Sequence, residues 1–380
     1  VSRARRRDRR VYLASHPVLF ALLAATRRAP VLRLGRTVLV HGTRAYVDAL
    51  TRVPLDRAAD GTTGGAARRV DADDLLFDQD GAAHRTARRS LADALGGAGV
   101  DRLRPVWTGV LDRRFAPLSD GRPVDLVDVA AELAGATTAA LLDVRADPHE
   151  LAAAARDAAA VAVRDHLPGR RTGSGRSGGP SRGPARRAAD RLTALVGADG
   201  LAGMLAVAAV NTTVAAIPRA VAWCADDRLW AAAADPVRRP DLVTELLRLT
   251  APSPLLPRAA AGPGVIGAPE PAPGTAPDGT PDGGPGGDRG ADGHPVRPGD
   301  RLILVARHAA GAHRTGPQPA RVARLVFGVG PHACPGAALA RAQLADVLAA
   351  LAPYRPVVVT ARADRRAALP GWKTLRVRPS

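Results

Sequence analysis

The decapeptide Phe327-Gly328-Val329-Gly330-Pro331-His332-Ala333-Cys334-Pro335-Gly336 constrains this chain more than any other stretch. Gly328 and Gly330 let the backbone turn tightly and approach a bound group closely. Pro335 suits the first position of a helix, and residues 337–351 have strong helical propensity. The pattern predicts Cys334 at a helix N-terminus, where the dipole favours a thiolate over a thiol. A thiolate held there suits a soft metal; the ordinary alternative is a buried, inert cysteine.

With 380 residues the chain can bury a large core. Its 2 cysteines, Cys224 and Cys334, argue against a disulfide scaffold and suit a reducing cytoplasm; Cys224 is expected in the core. The formal charge of +18 is almost all arginine, Lys373 being the lone lysine. The arginines are scattered without interleaved aromatics or a nucleic-acid motif, so no nucleic-acid partner is expected. Heavy use of Ala, Arg, Gly and Pro also matches the coding bias of a GC-rich genome.

The decapeptide resembles the haem-binding loop of the cytochromes P-450, Phe-x-x-Gly-x-x-x-Cys-x-Gly. His332 matches the histidine that the bacterial form adds. The resemblance implies haem b, with Cys334 as the axial metal ligand and Phe327, Gly328 and Gly336 in the cofactor cradle. His84 and Arg88 lie four apart, so on a helix they would share one face. The family has a His-x-x-x-Arg pair here that donates to a propionate. Arg258, Arg324 and His332 stand where the family has further propionate ligands.

Residues 201–225 read as a long apolar helix carrying Ala208-Ala209-Val210-Asn211-Thr212-Thr213. The family has Ala/Gly-Gly-x-Asp/Glu-Thr-Thr at this point, where the acid and threonine relay protons. Asn211 replaces the acid and cannot titrate, so proton handling falls to Thr212; the two are the candidate catalytic residues. Pro218 should kink this helix. Ala209, Val210, Leu255 and Leu256 are candidate substrate contacts. Glu245 and Arg248, an i,i+3 pair, match the family's brace for the haem loop, with Arg314 and Arg321 as candidates for the arginine that completes it.

Along the chain, 31–34 and 37–40 read as a hairpin turning at Gly35-Arg36, and 43–51 as a helix. Further helices are expected at 100–118, 125–144, 149–165 and 185–196. Residues 1–14 read as a basic tail, and residues 18–25 as apolar but too short for a span or a convincing signal peptide, favouring a first amphipathic helix. Residues 168–184 and 267–293 read as flexible loops, the first falling where the family has a lid; a hairpin of 264–267 with 295–300 flanks the second.

The resemblance implies one mainly α domain over 1–380 with a minor β portion, its haem between the long central helix and the helix after Cys334. It implies a soluble, cytoplasmic haem-thiolate monooxygenase without a membrane span. Such an enzyme inserts one oxygen atom from O2 into an apolar small molecule, here of the bacterial secondary-metabolite kind. Ferredoxin and ferredoxin reductase would donate electrons. Asn211 keeps two alternatives open: a peroxide-using haem-thiolate enzyme, and a non-catalytic haem-binding or recruitment protein.

Overall fold

The computed structural model describes residues 2–56, 59, 62, 91, 93–164, 182–268 and 293–380. His84 and Arg88 lie outside these residues, as do 165–181 and 269–292, which hold most of the two expected loops.

The expected basic tail is instead a docked helix, α1 (Arg3–Ser15). Ser2 caps it, accepting from the Arg5 amide at 3.2 Å. Ala4, Asp8, Val11, Tyr12 and Ser15 form its buried stripe at helical spacing. Buried Asp8 accepts from Arg219 Nε and Nη2 at 2.8 and 2.7 Å. Tyr12 is flanked by Arg219 and Arg307, whose guanidinium carbons stand 4.5 and 3.9 Å from its ring centre. A buried aspartate is tolerable only with such partners. Helix α2 (Pro17–Thr26) follows.

Strands β1 (Val31–Leu34) and β2 (Thr37–Val40) pair antiparallel around a Gly35-Arg36 turn with Gly35 at φ +60°, and α3 (Thr43–Thr51) follows, as the sequence indicated. β3 (Leu55–Asp56) is short. The helical part comprises α4 (Gly97–Ser119), α5 (Leu126–Leu142), α6 (Pro148–Arg164), α7 (Arg182–Val196), α8 (Gly200–Asp226), α9 (Trp230–Ala234) and α10 (Arg239–Thr250). α7 starts at Arg182, so the end of the expected 168–184 loop is helical. β4 (Val124–Asp125) precedes α5, and Asp125 caps that helix by accepting from the Val127 amide.

Helix α8 is the axis of the molecule, packed against α1, α5, α6 and α10. It is long and apolar enough to cross a membrane. Residues 214–224 are nevertheless all buried in protein, as in a core helix. The helix runs on through Pro218, whose missing N–H leaves one bond of the ladder unmade. Cys224 is fully buried, as expected, and burial pushes its thiol up to about 12.

Strands β5 (Leu256–Ala260) and β8 (Arg301–Leu304) join the first hairpin in a sheet of order β1-β2-β8-β5-β3, with β2 and β8 parallel. β6 (Gly264–Ile266) pairs with β7 (His294–Val296), the hairpin expected around the second loop. The short helices α11 (Ala306–Ala309) and α12 (Ala320–Ala323) lead to the cysteine loop, which α13 (Ala337–Leu351) follows. β9 (Val357–Asp364) and β10 (Gly371–Arg378) form a C-terminal hairpin that β4 extends.

Candidate active site around Cys334

The loop before α13 is folded on itself by its glycines. Gly328 and Gly330 take φ of +75° and +73°, conformations open to glycine. The Cys334 amide donates to the Phe327 carbonyl at 2.7 Å and the Ala333 amide to Gly330 at 3.1 Å, closing the turn. Cys334 is exposed at the mouth of this turn. A Cβ on Gly336 would meet the Cys334 sulfur at 3.9 Å.

Helix α13 starts at Ala337 with Gly336 as its N-cap, so Pro335 is not its first residue and Cys334 stands two residues before the cap. Cys334 thus faces the helix end across a turn rather than occupying it. The helix is held firmly. Asp346 accepts from Arg104 Nη2 at 2.6 Å and from the Trp107 ring nitrogen at 2.9 Å, both on α4. Gln343 donates to the Thr137 hydroxyl of α5 at 3.1 Å.

Arg341, which sequence reasoning missed, lies over the Phe327 ring at 4.8 Å. Burial lowers its pKa, the charge of Arg324 lowers it further, and negative charge on Cys334 raises it. The cation and the thiolate therefore favour each other. One signal was available: Arg341 is the single basic residue in the first turns of the alanine-rich helix that follows the cysteine loop. Arg324 itself is exposed.

The region before the loop is pinned from several sides. Tyr46 of α3 donates to the Leu325 carbonyl at 3.2 Å, and Thr43 to Ala309 at 2.7 Å. Fully buried Arg248 pairs with Glu245 through Nε at 2.7 Å and Nη2 at 2.5 Å. It also donates to the carbonyls of Gly311 and, at 3.2 Å, Gly316. Among the described residues neither Arg314 nor Arg321 bonds to Glu245. Arg5 of α1 instead feels the charge of Glu245 and donates to the Ala312 and Arg314 carbonyls, each at 2.9 Å.

Arg258 on β5 donates to its neighbour Pro257 at 2.8 Å, while its Nε is sealed from solvent without a partner. Burial holds its pKa below the usual arginine value, against the raising influence of Tyr46. An anion beside it would satisfy both the buried charge and the unused donor.

On α8, Asn211 Nδ2 donates to Val207 at 2.8 Å and across to the Ala155 carbonyl of α6 at 3.2 Å. The Thr212 hydroxyl donates to the Ala208 carbonyl at 2.8 Å. Val210 is fully buried in the helical core, and Ala209 is partly buried. Leu255 packs against the cluster of Tyr12, Phe20 and Leu23, whereas Leu256 packs against the sheet core. His332 closes a short 3-10 turn, Gly330–His332; its side chain lies outside the described set.

This arrangement of a central helix, a glycine-turned cysteine loop and a Glu–Arg brace with a buried arginine is the fold of the cytochromes P-450. P450BioI in complex with an acyl carrier protein ligated to hexadec-9Z-enoic acid superposes with a TM-score of 0.71 at 17% identity, over 97% of this chain and 99% of that one. CYP175A1 from Thermus thermophilus gives 0.70 at 19% identity, over 97% and 96%. CYP109B1 from Bacillus subtilis gives 0.64 at 19%, over 96% and 100%. No family model and no curated protein matches the sequence. The residues present fit the haem b that such a fold implies. Cys334 is an exposed thiol that could ligate iron as a thiolate, and the sealed Arg258 nitrogen lacks the anion a propionate would supply.

Proposed function

We propose that the protein is a haem-thiolate monooxygenase that inserts one oxygen atom from O2 into an apolar small molecule of the bacterial secondary-metabolite kind. The observation that carries this reading is the exposed Cys334 on a loop closed by its own amide, beside the Arg341 cation. A thiolate-bound haem supplies reductive activation of O2. The chain's residues hold and orient it. Cys334 binds the metal, and Arg258 pairs with a propionate, with Arg324, His332, His84 and Arg88 as further propionate ligands. Phe327 and Gly328 shape the loop, and the packed α13 keeps Cys334 in place.

Thr212 is the proton-handling residue. Its own proton goes to Ala208, which leaves its oxygen free to accept from a water. Of the four expected substrate contacts, Ala209 and Leu256 are kept as proposed apolar contacts. Val210 is fully buried in the helical core and Leu255 packs against Tyr12, Phe20 and Leu23, so neither is placed beside the substrate. Two cysteines with no disulfide between them suit a reducing compartment, and a ferredoxin with its reductase is the proposed electron source. The whole chain is proposed to act as one domain.

A second reading draws on Asn211. Its amide is committed to two carbonyls and cannot titrate, which favours direct use of peroxide. The test is turnover of an apolar substrate panel by haem-loaded protein, with reductant, ferredoxin and reductase or with peroxide alone. Reductant-dependent oxygen insertion supports the first reading. Product only with peroxide supports the second. Haem binding without product in either arm would leave a non-catalytic haem protein.

A further inference from the structure

Helix α2 carries an outward face that the haem site does not use. Its sequence, Pro17-Val18-Leu19-Phe20-Ala21-Leu22-Leu23-Ala24-Ala25-Thr26, is apolar on almost every side, yet only Phe20 and Leu23 are buried. At about 100° per residue, positions 17, 18, 21, 22, 24 and 25 fall in one continuous arc. All six are exposed, Val18 at 82% and Leu22 at 44%. A helix apolar all round is ordinarily sealed by protein or by lipid. Among the described residues nothing seals this arc.

Arginines precede and follow it along the chain. Arg9 and Arg10 in the middle of α1 and Arg27 and Arg28 just after α2 are exposed. Arg3, Arg6, Arg7 and Arg10 line a groove of about 290 Å³ on α1, which packs against α2. Asp8, the single acid among residues 2–30, is buried against Arg219, and Asp226 of α8 pairs with Arg3 and Arg7, so the outward charge rests on the exposed Arg9, Arg10, Arg27 and Arg28. We propose that α1 and α2 form a peripheral docking surface for an anionic phospholipid bilayer. The apolar arc enters the boundary between headgroups and acyl chains, and the arginines meet lipid phosphates.

Other occupants fit this face less well. Stacking a second copy on the same face would set arginines against arginines. A protein partner would be expected to meet aromatic anchors or a pocket, and the arc offers only Pro, Val, Ala and Leu. A bilayer needs neither.

The experiment is co-sedimentation of the full chain with vesicles of phosphatidylcholine containing about 30% phosphatidylglycerol, and with pure phosphatidylcholine. The chain should sediment with the anionic vesicles, and Val18→Asp with Leu22→Asp should lower partition about tenfold or more. Both side chains are exposed, so circular dichroism and Tm should stay unchanged. The milder pair Val18→Ser with Leu22→Ser, expected to weaken partition several-fold, covers any variant that misfolds. Equal partition of folded variants and wild type would overturn the proposal, as would no binding to anionic vesicles. A wild-type dimer that the same substitutions disperse would assign the face to a second copy instead.

Discussion

Asn211 on α8 donates its side-chain amide to the carbonyl of Ala155 on α6, 3.2 Å away, and to Val207 one turn back, 2.8 Å away. The residue that stands where the resemblance has an acid is thus a tie between two helices. An aspartate cannot make these two donations when ionised and would face two carbonyl dipoles. Asn211→Asp should lower stability by about 1–3 kcal/mol, read as a lower urea midpoint at pH 7. An unchanged midpoint would mean that the tie contributes nothing.

Arg258 gives opposite effects on the empty and loaded chain. Its sealed Nε lacks a partner and burial depresses its pKa. Arg258→Leu should therefore leave the haem-free protein as stable or about 1 kcal/mol more stable. The same change should weaken haem retention roughly tenfold, measured by transfer to a haem scavenger. Equal retention would remove Arg258 from the cofactor site.

Arg341 and Cys334 should be coupled in reactivity. Replacing Arg341 by Leu removes the cation that favours the thiolate, so alkylation of Cys334 by iodoacetamide in the haem-free protein should slow several-fold at pH 7. Cys224, buried and pushed up to about 12, should stay unlabelled in both proteins. Equal rates would show that Arg341 acts only through packing on Phe327.

Three histidines set an acid sensitivity. His41, His308 and His313 are lowered to about 4, 3 and 4, chiefly by burial. His41 and His308 approach Nδ1 to Nδ1 at 2.9 Å. The folded state keeps them neutral, so the unfolded state binds more protons below pH about 6.5. Their contribution is present above that value and is lost as pH falls towards 4. Urea titrations at pH 7 and pH 5 should show the loss, and His308→Gln should reduce it. A pH-independent midpoint would contradict the buried neutral state.

Much of this was legible locally. Alternation around Gly35 gave the first hairpin, and small apolar residues at helical spacing gave α8. What escaped depended on distant partners. Helix α1 looked like a tail because its buried stripe includes Asp8 and Tyr12, whose burial is made tolerable by Arg219 and Arg307, more than two hundred residues on. A third arginine on Glu245 was expected from Arg314 or Arg321. The carbonyls of Gly311 and Gly316 take up Arg248 instead, and Arg5 supplies the added charge; backbone acceptors leave no mark in a sequence. The cysteine loop was readable because its glycines adopt the positive φ they permit. The start of α13 was misplaced because Pro335 and Gly336 form a turn before it.

The central claim, that Cys334 is the thiolate ligand of a haem, is tested most directly by the spectrum of the reduced protein with carbon monoxide, for wild type and Cys334→Ala. A strongly red-shifted Soret band in the wild type, lost in the variant, is the expected result. An unshifted band, or a shifted band that survives the substitution, would contradict it.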